Sequence, residues 1–102
     1  MSKKFHISIS TENFDGSVKD YSNRLNAKPE VVVPGRYALW RTEILNFSIS
    51  CKPGQKAGMV RHIGFEDGAA EKFVEEQDIN GIIWEYFSEA EQKREIKEHF
   101  GV

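Results

Sequence analysis

With a single cysteine in 102 residues, Cys51 has no internal partner, so no intramolecular disulfide can brace the chain. There is also no excess of positive charge. Fourteen Lys and Arg are scattered among sixteen Asp and Glu, for a net charge of −2, and this leaves no electrostatic footprint for nucleic acid. No apolar run approaches the roughly 18 residues needed to cross a bilayer. The Met1-Ser2-Lys3-Lys4 start leads straight into a strand pattern with no apolar signal region, so a cytoplasmic location without a membrane partner is expected.

The composition is that of an ordinary globular chain, 39% hydrophobic and 29% charged, which excludes disorder and fibrous repeats. The length allows one domain around one core and leaves no room for a second.

Phe5, Ile7 and Ile9 alternate with His6, Ser8 and Ser10, the period of a half-buried strand with His6 turned away from the apolar face. Phe14, Val18, Tyr21 and Leu25 then recur at helical spacing. Asn13 stands where an N-cap belongs and Asn26 where a left-handed C-cap does. Three extended segments follow, Glu30 to Val33, Arg36 to Arg41 and Leu45 to Cys51, punctuated by Pro34-Gly35 and Lys52-Pro53-Gly54. Met59 to Glu66 alternates again and gives His62 the placement of His6. Gly68 to Gln77 reads as a short helix, with Ala70, Phe73 and Val74 on one face. After the Asn80-Gly81 turn signal, Ile82 to Phe87 is a β-rich run, and Ser88 to Glu91 is a capping box for a charged terminal helix.

Three stretches carry a family resemblance: Phe5-His6-Ile7-Ser8-Ile9 with the helix behind it, Arg61-His62-Ile63-Gly64-Phe65, and Asp78 through Phe87 with Glu85 near its end. Together they resemble the vicinal oxygen chelate group, the glyoxalase, bleomycin-resistance and extradiol-dioxygenase relatives. The resemblance implies an α+β fold of the βαβββ glyoxalase-like type: a single domain with a first module at 1–54, a shortened second module at 55–102, and a C-terminal helix. It also implies that His6, His62 and Glu85 are metal ligands. Between His62 and Glu85 the chain has space only for the short helix, so the middle strands of the second module are expected to be deleted. The alternative is that Ile82 to Phe87 is an inner strand and Glu85 fits by coincidence.

Two neutral imidazoles and a carboxylate with open positions suit non-haem Fe(II), and the same donors accept Mn, Ni or Zn. A divalent metal of this kind, without an organic cofactor, is the expected cofactor. A glyoxalase-type fourth ligand would come from the Asn46, Ser48 and Ser50 positions, where no carboxylate stands. Against the metal reading, a strand histidine is often only a hydrogen-bonded structural residue. Tyr37, Trp40 and Trp84 are candidates for lining a substrate pocket, with core packing as the plainer explanation. Arg36 and Arg41 read as solvated strand-edge charges, His99 as a solvated residue of the terminal helix and Cys51 as a passive thiol.

Three functions compete at this point. One is a metal-dependent lyase, isomerase or dioxygenase acting on a small oxygenated metabolite, and another is a metal-free small-molecule binder of the bleomycin-resistance type. The third is a non-catalytic interaction subunit. A truncated sheet exposes an edge that a homodimer would pair or that the terminal helix would cover, and a homodimer is the expected assembly.

Overall fold

The computed structural model describes residues 3–101. The elements run β1 (Lys3–Ser10), α1 (Phe14–Leu25), β2 (Val31–Val33), β3 (Tyr37–Arg41), β4 (Leu45–Ser50), β5 (Val60–Asp67), β6 (Val74–Gln77), β7 (Ile83–Phe87) and α2 (Glu89–Phe100). The fold is α+β, with one mixed sheet in the order β2-β3-β4-β1-β5-β7-β6. The caps form where the sequence signals lie. Asn13 accepts a hydrogen bond from the Gly16 amide, Asn26 closes α1 at φ 50°, and Ser88 with Glu91 completes a capping box.

The two halves of the sheet are built alike. β1 lies parallel to β4, β5 lies parallel to β7, and the halves join through antiparallel β1 and β5. β7, the last strand, thus stands beside β5 as β4 stands beside β1. The second half has three strands against four in the first, and no helix between its strands.

The short helix expected over Gly68 to Gln77 does not form. Val74–Gln77 is a strand paired antiparallel with β7, from Val74 opposite Tyr86 to Gln77 opposite Ile83. A ten-residue helix is marginal by itself, whereas this pairing supplies ladder bonds to β7. The Asp78 carboxylate fixes the connecting turn. It accepts the Asn80 and Ile82 amides, each at 2.9 Å, and the Trp84 indole N–H at 2.8 Å, while Gly81 supplies φ 83°.

The helices lie on opposite faces. α1 packs Phe14, Val18, Tyr21 and Leu25 against Ala38, Trp40, Phe47 and Ile49. α2 sets Ile96 against Val33, Tyr37 and Leu39 on the other side. It therefore covers the face of β2 to β4 and leaves the open edge at β6, where exposed Glu75, Glu76 and Gln77 guard against edge pairing. This placement inverts the ordinary pattern on β1. His6 is 2% exposed and Ser8 1%, whereas Phe5, on the supposedly inner face, is 37% exposed. The polar side of the strand is the buried one, because α2 roofs it.

Candidate metal centre

His6 projects from β1, His62 from β5 and Glu85 from β7, all on the face beneath α2. Ladder register aligns them, with His6 opposite Gly64 and Gly64 opposite Glu85. Gly64 is required there. It adopts φ 152°, and a Cβ built on it would lie 1.8 Å from the Glu85 carbonyl oxygen. The residue between the two candidate ligands can carry no side chain.

The candidate donor atoms all lie within 4.8 Å of one another. The Glu85 carboxylate is 3.1 Å from His62 Nε2 and 3.8 Å from His6 Nε2, and the two imidazoles stack with centroids 4.9 Å apart. Metal–ligand bonds of about 2.1 Å reach donors up to about 4.2 Å apart, so side-chain adjustment of roughly half an ångström suffices even at the widest spacing.

The surroundings fix the state of each group. The Nδ1 of His6 lies 2.8 Å from the Asn46 side-chain oxygen and 3.2 Å from its main-chain oxygen. Both are acceptors, so Nδ1 carries the proton and Nε2 presents its lone pair toward His62 and Glu85. That Nε2 is buried without a hydrogen-bond partner. Burial lowers the pKa of His6 despite the Asn46 hydrogen bonds. Burial, then the neighbouring His6, Arg61 and Lys52, carries His62 down to about 3. Burial also lifts Glu85 to about 7, with the adjacent Glu75 adding to the rise. Near neutral pH the cluster therefore holds two uncharged imidazoles and a carboxyl poised at its titration point, a donor set ready for a cation.

Asn46, fully buried, is the hinge of a larger network. Its amide nitrogen donates to Glu66 at 2.8 Å and to Gln92 of α2 at 2.7 Å, and its oxygen accepts from Gln92 at 3.2 Å as well as from His6. Glu66 is in turn gripped through both oxygens by Arg41, at 2.8 and 2.6 Å. Burial would raise Glu66, but the hydrogen bonds from Arg41 and Asn46 hold it below the usual carboxylate range. Arg41 also reaches Glu30 at 3.2 Å and Glu89 at 3.1 Å, tying the first turn of α2 to the sheet. It is a paired network residue, not the solvated edge charge expected from the sequence. A chain of hydrogen bonds thus runs from Arg41 through Glu66 and Asn46 to His6, the kind of support that orients metal ligands.

A cavity of about 240 Å³ opens between α2 and the sheet over the three donors. Tyr37 lines it, with burial raising its hydroxyl to about 12. Trp40 and Trp84 do not. Trp40 is sealed under α1 and donates to Ser22, and Trp84 stands on the same opposite face beside Phe65. Even-numbered positions of β3 and β7 face away from the cavity, and this explains why neither tryptophan enters it. His99 is exposed, as expected, and also borders the cavity with Gln92, Glu95 and Phe100. Their spacing along α2 signals a common face, visible in the sequence once a partner surface is known. Cys51 is a free thiol packed beside the α1 core cluster. No protein-family model matches this chain, and no curated protein matches it.

Proposed function

We propose that His6, His62 and Glu85 hold a divalent metal, Fe(II), Mn, Ni or Zn, and that the cavity above them admits a small oxygenated metabolite, in the manner of a vicinal oxygen chelate lyase or dioxygenase. The observation that carries this reading is His6. Its proton is committed to Asn46, and its Nε2 is buried, unpartnered and directed at two other donors. Leaving a buried polar atom unpaired costs about 1–3 kcal/mol, which a bound cation would recover. Such an ion supplies a Lewis acid with positions open to substrate oxygens. The chain supplies the rest: Asn46 orients His6, Gly64 lets β7 bring Glu85 close, and α2 forms one wall of the cavity. The parallel strand pairs β1–β4 and β5–β7 support the glyoxalase-like reading of the fold, with a second module lacking its helix and one strand.

The proposal includes a homodimer. Phe65, Trp84 and Tyr86 are only half-buried and belong to neither helix-covered core cluster, so two such faces pressed together would cover them.

Elemental analysis of protein purified without chelator, alongside His6→Ala and His62→Ala, tests the centre. Near-stoichiometric metal in the parent, lost in both variants, is expected. No uptake after reconstitution with each of the four metals refutes the centre and leaves a metal-free binder.

A further inference from the structure

Beyond the three donors, the cavity has a second chemical character. The pairing of β1 and β5 slips between Ser8, which opposes His62, and Ile9, which opposes Val60, so Arg61 is the extra residue of a β-bulge. A regular strand would turn Arg61 to the α1 side, whereas here Arg61 and His62 both line the cavity. Arg61 donates to Ser50 at 3.0 Å, Lys52 Nζ lies 3.4 Å from the His99 ring, and Arg36 stacks over Phe100 at 4.8 Å. Arg36, Lys52 and Arg61 take part in none of the ion pairs among the described residues, while Arg41 alone engages three carboxylates. The cations are close enough for Arg61 and Arg36, after burial, to lower Lys52. Glu75 and Glu95 line the cavity too, and their charges act on Glu85, at the donor end. Nearby, the Ser8 hydroxyl lines the same cavity, 1% exposed and without a hydrogen-bond partner.

We infer that Arg61 and Lys52, backed by Arg36 and His99, form a subsite for an anionic oxygen group, so that the cavity takes a small acid whose carboxylate or phosphate lies on the cations and whose remaining oxygens face His6, His62 and Glu85. Like charges gathered without a direct ion pair repel one another, and an entering anion offsets that cost. A cavity of about 240 Å³ is below the roughly 300–1,000 Å³ of drug-sized pockets and fits a molecule of this size. The orientation of the acid rests on the metal reading, but the anion subsite does not.

The test is titration of metal-free and metal-loaded protein with glycolate, inorganic phosphate and the neutral analogue glycolamide, followed by amide chemical shifts. Saturable binding of an anion is expected, with glycolamide and each of Arg61→Gln and Lys52→Gln weaker by about tenfold. Tighter glycolate identifies a carboxylate subsite and tighter phosphate a phosphate subsite. Lys52 lies beyond the end of β4, so its variant keeps the strands intact should Arg61→Gln fail to fold. Equal binding of glycolate and glycolamide, or undiminished anion binding in Lys52→Gln, overturns the subsite. Anion binding by a protein that takes up no metal sinks the metal centre and leaves the subsite standing.

Discussion

Asn46→Ala separates a supported metal centre from a fortuitous cluster. The substitution removes four hydrogen bonds within the buried network. Its consequences are unequal. Glu66 keeps both Arg41 contacts, and His6 Nδ1 keeps the main-chain oxygen of residue 46 at 3.2 Å. Gln92, only 6% exposed, loses its partner on both amide atoms. One stranded buried amide at about 1–3 kcal/mol, with a smaller term for the weakened His6 and Glu66 bonds, gives a loss of about 3 kcal/mol. At 4–8 °C per kcal/mol for a domain of this size, the midpoint should fall by about 12–24 °C. Losing the oxygen that holds His6 should also weaken metal binding by about 10–100-fold. Thermal denaturation followed by circular dichroism, and calorimetric metal titration below the new midpoint, measure the two effects separately. A variant that melts lower yet binds metal as tightly as the parent would refute the role of Asn46 in positioning His6. One that loses less than about 0.5 kcal/mol would refute the network itself.

Gly64→Ala should cost more than about 3 kcal/mol and abolish metal uptake, since its methyl group would overlap the Glu85 carbonyl; a soluble, metal-replete variant would contradict the geometry. Because Glu85 must give up a proton to bind a cation while His6 and His62 are already neutral, metal affinity should fall about tenfold per unit below pH 7 and level off above it, and the calorimetric proton release should vanish in Glu85→Gln. In the metal-free protein the raised Glu85 pKa contributes stability fully present below about 4.5 and lost by about 7, so Glu85→Gln should remove that decline from the stability–pH curve. Tyr86→Lys, on the uncovered face, should convert a dimer to a monomer in sedimentation at micromolar concentration, and a monomeric parent would sink the dimer.

Much of the scaffold was legible because period and punctuation agree. Alternation marked β1 and β5, helical spacing between Asn13 and Asn26 marked α1, and Ser88 with Glu91 marked the start of α2. β6 was missed because Phe73, Val74 and Ala70 can share a helical face, although Asn80-Gly81 is a hairpin turn and a hairpin needs a strand on each side. His6 and His62 were visible as residue types opposite apolar faces and Glu85 only through the family resemblance, and the support around them was not visible at all. Asn46 meets His6 only through the parallel pairing of β1 with β4, and Gln92 meets Asn46 only through the docking of α2, contacts spanning 40 and 46 residues. Arg61 escaped notice because the bulge reverses the side a regular strand would give it.

The burial pattern bears on why this sequence keeps such a site. Tyr37–Trp40 and Asn46–Ser50 are buried along their length, between α1 on one face and α2 on the other. Strands covered on both faces ordinarily read as continuous aliphatic runs, since a side chain with no access to water gains most by being apolar. β3 follows that rule, and β4 does not: it alternates Phe47 and Ile49 toward α1 with Asn46, Ser48 and Ser50 toward α2, facing the equally buried His6, Ser8 and Ser10 of β1. Stability alone would replace these groups, because each must be matched by a partner, and His6 Nε2 and Ser8 Oγ are not. The polar residues are concentrated where α2 and the sheet enclose the cavity, while the outward aromatics of β5 and β7 are left half-buried. Half-buried aromatics on one face and unpaired buried polar atoms under α2 on the other are the arrangement that a ligand bound beneath α2 would account for.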